Sequence, residues 1–184
     1  MKYLWLTLFL ALPFSSLASS NQSAWQKSPE LEKVIEQLKK NYASTEFSID
    51  KMSMKRFDNL SYFLLHIDEK GTPEYIQLKA FLLGLQQGYE VSISQQIQTN
   101  ITPWFCPPGG QLDLPSPHSE NPTLFIENLI YEALERDIKN NPNGIKKGNK
   151  AFMRTTGVVS YGLQVKYPCY DKVPLHHRQK AWVY

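Results

Sequence analysis

Residues 71–98 read GTPEYIQLKAFLLGLQQGYEVSISQQIQ, and this segment carries the long helical pattern on which the predicted fold depends. Thr72 can cap a helix, while Pro73 and Glu74 suit the first turn that follows. Apolar residues then recur at helical spacing, which predicts a central helix that ends near Gln98. These apolar residues are Ile76, Phe81, Leu82, Leu85, Tyr89 and Ile93.

One stripe of this helix contains only small residues, because Ala80, Gly84 and Gly88 lie four positions apart. Glycine in a helix interior costs roughly 1 kcal/mol relative to alanine. Two glycines at this spacing predict that another helix packs against the stripe, with its backbone lying close.

Upstream of the central helix, Ser28 and Pro29 are typical of a helix start. The apolar positions that follow have helical spacing and alternate with a charged outer face. They are Leu31, Val34, Ile35, Leu38 and Tyr42. Residues 60–65 are compatible with a short buried helix, whereas the rest of residues 45–66 gives no decisive pattern.

Downstream of the central helix, prolines and glycines recur through residues 99–122 and forbid a long regular element there. The next helix is expected to open at Ser119 or Asn121, with Pro122 in its first turn, and to end in residues 140–144. Its acidic residues are expected to be solvent-exposed. They are Glu127, Glu132 and Glu135.

A last helix is expected from about Asn149 to Tyr167, with apolar residues on one side. The sum is four or five helices with no convincing strand pair and no internal repeat. The sequence therefore predicts an all-α fold, a small bundle of four or five helices stapled by one disulfide.

The N-terminal residues have the pattern of a cleavable secretory signal: Lys2 precedes an apolar run that stops near Phe14, too short to span a bilayer. Small residues at positions 16 and 18 predict cleavage near Ala18, which would leave about 166 residues, enough for one domain. Residues 19–27 are expected to be a flexible leader, 28–169 a single helical domain, and 170–184 a basic aromatic tail. The expected location is an oxidising compartment outside the cytoplasm, the periplasm of a bacterium.

Cys106 and Cys169 are the only cysteines of the chain. In an oxidising compartment they are expected to form one disulfide, the alternatives being two free thiols or an intermolecular bridge. The bridge would close a loop of 63 steps, for which the loop-entropy model gives a stabilisation of roughly 4 kcal/mol.

The charge pattern excludes several classes of partner. A formal net charge of +3, with acidic and basic residues interspersed, gives no nucleic-acid footprint and no polybasic membrane patch. The sequence contains no second apolar stretch that is long enough to predict a membrane span. The partner is expected to be another protein, and the sequence leaves open whether the chain is a monomer or a homodimer.

No catalytic constellation is recognisable, so the chain is not expected to be an enzyme. Residues 157–162 read GVVSYG, but a nucleophile elbow has one residue between its first glycine and the serine, and a strand before it. The adjacent His176 and His177 point apart and make a poor zinc pair. The sequence predicts neither a metal site nor a cofactor.

The segment from about Tyr75 to Cys169 resembles the Rap/Tai family of type VI secretion immunity proteins. The resemblance rests on the order of four features. They are a helix bearing Gly84 and Gly88, the sequence FCPP at residues 105–108, a helix ending in IKNNP at 138–142, and YPC at 167–169.

This resemblance implies a periplasmic all-helical immunity protein, which inhibits an antibacterial type VI effector, often a peptidoglycan amidase. An inhibitor needs a rigid, shaped surface rather than catalytic groups. The proline-rich residues 107–122, anchored by Cys106, fit that requirement and are expected to face the partner, the alternative being a plain connection between two helices. Their expected polar contacts are Gln111, Asp113, His118 and Glu120.

A second interpretation is a periplasmic chaperone or envelope-stress factor of the HdeA type, a class that is also helical, exported and held by one disulfide. Such a protein would bind many clients through apolar surface released at low pH. A third interpretation, an effector or hydrolase, lacks a recognisable nucleophile.

Overall fold

The computed structural model describes residues 23–44, 56–141 and 153–169. These residues form five helices and no β-strand, and one disulfide links Cys106 to Cys169. The small all-α bundle expected from the sequence is therefore confirmed. The expected signal at residues 1–18, the first part of the leader at 19–22 and the tail at 170–184 lie outside the described residues.

The five helices follow one another in a simple order. They are α1 (Pro29–Ser44), α2 (Leu60–His66), α3 (Pro73–Gln98), α4 (Leu124–Asn140) and α5 (Thr155–Lys166). A short 3-10 turn, Pro108–Gly110, lies between α3 and α4.

Two of the predicted helix starts are confirmed together with their caps. The Ser28 hydroxyl accepts a hydrogen bond from the Leu31 amide at 3.1 Å, at the start of α1. The Thr72 hydroxyl accepts one from the Tyr75 amide at 3.2 Å, at the start of α3. Each bond satisfies an amide that has no partner inside its own helix.

Helix α4 begins later than expected, at Leu124. Asn121 does not cap it, because the Asn121 side-chain oxygen accepts bonds from the amide and the hydroxyl of Thr123, at 3.3 and 3.0 Å. These bonds close a turn before the helix, so Pro122 belongs to the turn. The predicted end of α4 near residue 140 is confirmed.

Helix α5 also begins later than expected, at Thr155. The Leu60 amide donates to the Met153 carbonyl at 2.8 Å, and the Thr155 amide donates to the Asp58 carbonyl at 2.7 Å. This isolated antiparallel bridge requires extended backbone before Thr155 and ties the start of α5 to the start of α2. The first part of the expected helix, residues 149–152, lies outside the described residues.

The core is formed mainly by leucine, isoleucine, phenylalanine and valine from all five helices and from the loop after α3. Helices α4 and α5 form the most extensive pair, while α1 and α3 each contact α2 and α4. The largest fully buried side chains are Phe63, Phe105, Leu31, Leu60, Leu64, Leu78, Leu82, Ile93, Ile126, Leu129 and Ile130.

The predicted packing at Ala80, Gly84 and Gly88 is wrong within the described chain. All three residues are exposed, and a Cβ atom built on either glycine meets nothing within 4 Å. Helix α3 instead buries Leu78 and Leu82, which lie on a different side of the helix and turn the small stripe outward.

Residues 23–27, expected to be part of a flexible leader, lie against α4. The Trp25 amide donates to the Asn128 side-chain oxygen at 2.8 Å, and the Asn128 side-chain nitrogen donates to the Ser23 carbonyl at 2.9 Å. The amide and hydroxyl of Ser28 both donate to the Glu135 carboxylate, at 2.7 and 2.8 Å. Polar side chains of α4 therefore hold this segment by its backbone.

Candidate functional site

Residues 107–122 form most of the connection between α3 and α4, and we refer to them as the anchored loop. The four side chains expected to contact a partner, Gln111, Asp113, His118 and Glu120, are all exposed. They are distributed along the loop rather than gathered in one cleft.

The disulfide between Cys106 and Cys169, predicted from the sequence, is confirmed and lies just before the anchored loop. The two Cα atoms are 5.0 Å apart, and the Cys106 amide donates to the Tyr167 carbonyl at 2.8 Å. The beginning of the loop is therefore tied to the end of α5 by a covalent bond and a hydrogen bond.

The turn at Pro108–Gly110 requires glycine. Gly109 and Gly110 have φ angles of 67° and 72°, in the left-handed region that other residues rarely adopt. A Cβ atom on Gly110 would also lie 2.6 Å from the Ile97 Cδ1 atom. The turn consequently packs directly against the C-terminal end of α3.

The middle of the anchored loop is fixed at Leu112. Its side chain is buried, and its amide donates to the Glu90 carboxylate of α3 at 3.0 Å. Leu114 packs against the core two residues later. Because alternate residues of an extended segment point to opposite sides, this anchoring turns Gln111 and Asp113 outward.

The far end of the anchored loop is held by a buried polar cluster of Lys79, Asn121, Thr123 and Glu127. The Lys79 ammonium donates to the Asn121 side-chain oxygen at 2.6 Å and forms an ion pair with the Glu127 carboxylate. The Thr123 hydroxyl and the Asn121 side-chain nitrogen also donate to Glu127. The Lys79 and Glu127 side chains are only 16% and 11% exposed.

The expectation that the acids of α4 are solvent-exposed is wrong. Glu127 is buried in this cluster, and Glu132 and Glu135 are half-buried. Glu132 forms an ion pair with Lys166 of α5 at 2.9 Å, and Glu135 accepts the two bonds from Ser28. These acids join α4 to its neighbours.

An aromatic group lies beneath the beginning of the anchored loop. Phe105 is fully buried, and its ring centre is 4.5 Å from that of Trp104 and 6.4 Å from that of Tyr89. Burial raises the pKa of Tyr89, and its hydrogen bond with Ser160 partly offsets the rise.

Electrostatic effects also connect the anchored loop with α5. Burial raises the pKa of Tyr167, and the negative charges of Asp113 and Glu132 add to the rise. Asp113 is exposed on the loop, so its charge acts both on Tyr167 and outward. Glu120, the other acidic residue of the anchored loop, is also exposed.

The serine of the GVVSYG sequence has a structural role. Ser160 lies within α5, is buried, and its hydroxyl is 2.7 Å from the Tyr89 hydroxyl. The Tyr89 hydroxyl also donates to the Thr156 carbonyl at 3.2 Å. This bonding joins α3 to α5 and leaves the serine away from solvent.

The described part of the chain contains no group of three or more His, Cys, Asp or Glu residues placed to hold a metal ion. The His66 ring nitrogen Nδ1 lies 2.6 Å from the Glu69 carboxylate, and His118 is exposed. His176 and His177 lie outside the described residues. None of the described helices is long and apolar enough to cross a membrane.

No protein-family model matches the chain, and no curated protein or solved structure is significantly similar to it.

The sequence predicts which residues of the loop are exposed but not the contacts that hold them. Leu112 and Leu114 alternate with Gln111 and Asp113, and that two-residue pattern was a usable signal for an anchored extended segment. Glu90 gave no such signal, because nothing local to it indicates a bond to an amide 22 residues away.

Proposed function

We propose that the mature chain is a periplasmic immunity protein that binds and inhibits an antibacterial type VI effector. The family resemblance implies that this effector is a peptidoglycan amidase. The observation that carries the proposal is the anchored loop. It is fixed at its start by Cys106, in its middle by Leu112 and at its end by Asn121.

The anchoring supports an inhibitor because it lowers the entropic cost of binding. A loop that is already ordered loses little conformational freedom when a partner docks on it. The exposed side chains of Gln111, Asp113, His118 and Glu120 would then supply hydrogen bonds and charge. Such a protein needs no catalytic group of its own.

The distribution of charge supports a partner with a basic docking surface. None of the 20 lysines and arginines of the chain lies between residues 80 and 135. The acids within that stretch are Glu90, Asp113, Glu120, Glu127, Glu132 and Glu135. All but Asp113 and Glu120 are buried or half-buried, so these two give the exposed loop its negative charge.

The proposed compartment rests on the sequence of residues 1–18 and on the disulfide. The first has the pattern of a secretory signal, and a structural disulfide persists in oxidising compartments. The order of the FCPP, IKNNP and YPC sequences supports a relationship to the Rap/Tai immunity proteins.

The proposal is tested with the purified, oxidised mature chain and the purified product of the adjacent gene, by titration calorimetry. We expect one stoichiometric complex whose affinity falls at least tenfold in the variant Asp113→Lys/Glu120→Lys and falls with added salt. The matched control is Glu36→Lys/Asp68→Lys, which makes the same charge change at exposed positions elsewhere.

Binding that is equal in the loop variant and the control would remove the anchored loop from the proposal. No complex with the adjacent gene product, together with capture of many unrelated proteins from a periplasmic extract, would favour the chaperone instead.

One observation favours that second candidate, an HdeA-like chaperone. Helix α3 and the segment that follows it expose apolar side chains, with Ile76 62%, Val91 55%, Ile97 49% and Ile101 57% exposed. Acidification should then increase the binding of a dye specific for apolar surface. No increase down to about pH 3, where Asp and Glu become protonated, would exclude the chaperone.

A further inference from the structure

Two isoleucines at the C-terminal end of α3 are exposed beside the anchored loop. Ile97 and Ile101 have 49% and 57% of their surface exposed in the described chain. A Cβ atom on Gly110 would lie 2.6 Å from the Ile97 Cδ1 atom, so Ile97 borders the turn of the loop. The Ile101 amide donates to the Gln96 carbonyl at 2.9 Å, a bond that ends the helix and keeps Ile101 beside its last turn. We call Ile97 and Ile101 the isoleucine pair.

The basic aromatic tail, residues 170–184, starts close to both the isoleucine pair and the anchored loop. The sulfur atom of Cys169, the residue just before the tail, lies 3.2 Å from the carbonyl oxygen of Pro103, two residues after Ile101. The Cys169 Cα atom lies 5.0 Å from that of Cys106, which precedes the loop. The position where the tail begins is therefore fixed by a covalent bond.

The tail is long enough to reach the isoleucine pair. An extended chain spans at most about 3.3–3.6 Å per residue, so the six residues 170–175 can span up to about 20 Å. The two residues from Ile101 to Pro103 span at most about 7 Å. The apolar side chains at 173–175 lie within this reach. They are Val173, Pro174 and Leu175.

The charge of the tail is opposite to that of the surface beside it. The tail contains three basic residues and one acid, which are Lys172, Arg178, Lys180 and Asp171. The segment 80–135, which includes the isoleucine pair and the anchored loop, contains six acids and no lysine or arginine. The charge of Asp113 acts on Tyr167, two residues before Cys169, so this acid lies near the start of the tail. Lys166 of α5 is paired with Glu132.

We propose that the tail docks on its own chain, with residues 173–175 on the isoleucine pair and the basic residues that follow over the acids of the anchored loop. The docked tail covers a surface that the proposed effector also needs, so it competes with the effector from within the chain. This regulatory consequence rests on the proposed function, whereas the docking itself does not.

The fixed starting point favours the tail over a separate partner as the occupant of this surface. A segment tethered by a short flexible linker reaches an effective concentration in the millimolar range. Weak apolar and charged contacts are then enough to dock it, whereas a free protein would have to offset the cost of association. The surface needs no second chain to be covered.

Limited digestion of the mature, oxidised chain with trypsin tests the docking, with cleavage after Arg178 and Lys180 followed by mass spectrometry. In the variant Ile97→Ser/Ile101→Ser we expect cleavage at both sites at least tenfold faster than in the wild type, with an unchanged circular dichroism spectrum. The matched control is Ile76→Ser/Val91→Ser, which removes two exposed apolar side chains of the same helix and should leave the rate unchanged.

A variant of the tail separates loss of docking from damage to the fold. Val173→Ser/Leu175→Ser leaves the described helices untouched and keeps both cleavage sites, so we expect the same acceleration. Cleavage as slow in either variant as in the wild type would overturn the proposal. So would a wild-type tail that is protected only at high protein concentration, because a second copy would then cover the isoleucine pair.

The regulatory consequence is measured by titration calorimetry with the product of the adjacent gene. Val173→Ser/Leu175→Ser should bind it at least threefold more tightly than the wild type does, because the tail no longer competes. An unchanged affinity beside faster digestion would overturn the competition. The absence of any complex would overturn the proposed function, and the digestion rates would still decide whether the tail docks.

Discussion

At the scale of single residues, the most consequential group is the buried pair of Lys79 and Glu127. The chain folds these two charges out of water although they are 48 residues apart. Thr123 donates to the carboxylate oxygen of Glu127 that Lys79 also contacts, and Asn121 donates to the other carboxylate oxygen and accepts a bond from the ammonium group. A buried ion pair offsets the cost of removing its charges from water only when further hydrogen bonds such as these complete it.

Removing one member of this pair should be costly. Lys79→Met leaves the Glu127 carboxylate buried without its cation, and we expect the free energy of unfolding to fall by about 3 kcal/mol. Urea unfolding monitored by circular dichroism measures the change. The control, Lys166→Met, breaks the more exposed pair with Glu132 and should cost about 1 kcal/mol or less. Equal losses in the two variants would contradict a special role for the buried pair.

A second residue-scale prediction concerns alkaline pH. Burial raises the pKa of Tyr131, and the charges of Asp68 and Glu127 raise it further. Below about pH 10 the phenol is neutral in both the folded and the unfolded chain. Above that pH the unfolded chain ionises first, so stability should fall as the pH rises from 9 to 11.

Tyr131→Phe keeps the ring against Phe63 but removes the ionisable hydroxyl. Its urea midpoint should therefore fall less between pH 9 and pH 11 than that of the wild type. Tyr75→Phe, at a half-exposed position of α3, is the control and should follow the wild type. A Tyr131→Phe variant with an unchanged pH dependence would show that this tyrosine is not responsible.

At the scale of helices, the sequence predicts what local contacts decide and fails where distant contacts decide. Ser28 and Thr72 cap helices with their own side chains, and both starts are predicted correctly. The backbone is extended at Arg154, and the carbonyl of Met153 just before it accepts a bond from the amide of Leu60, 93 positions earlier in the chain. No pattern around Met153 contains that information.

The same limit applies to the glycines, which look alike in the sequence. Gly162 of α5 is buried against α4, and a Cβ atom there would lie 2.9 Å from the Leu129 Cγ atom. Gly88 of α3 faces open space. The helix-helix contact that the sequence predicts at Gly84 and Gly88 is found instead at Gly162.

A matched pair of substitutions tests this difference. Gly162→Ala forces α4 and α5 apart and should destabilise the fold by about 1–3 kcal/mol, as overpacking does. Gly88→Ala should stabilise the single chain by up to about 1 kcal/mol, because only helix propensity changes. Both are measured by urea unfolding at a concentration at which sedimentation shows a monomer. A destabilised Gly88→Ala monomer would mean that the stripe has a contact within the chain.

At the scale of the whole molecule, the chain combines a helical core with a loop that the core holds from several sides. The all-α class and the disulfide follow from composition, periodicity and the count of two cysteines, because each depends on the chain as a whole. The sequence also predicts which residues of the loop are exposed, because their side chains are polar. It does not predict the anchors at Glu90 and Lys79, because these residues bond to segments that are distant in the chain.

The disulfide should stabilise the whole fold, and it should also have a local effect that orders the start of the anchored loop. Cys106→Ser/Cys169→Ser releases a loop of 63 residues, for which we expect a loss of about 4 kcal/mol in urea unfolding. The Cys106 amide bond to Tyr167 and the buried Phe105 remain, so the helices should still form.

Hydrogen exchange separates the local effect of the disulfide from its global effect. If the bridge holds the loop as well as the fold, the amides of Cys106 and Gly110, both bonded to carbonyls, should lose more protection than those in the middle of α4. The wild-type chain in reductant is the control and should behave like the double variant. A uniform loss of protection would mean that the bridge stabilises the molecule only as a whole. The ordered loop would then depend on Leu112 and on the cluster around Lys79, and binding of the proposed effector should survive reduction.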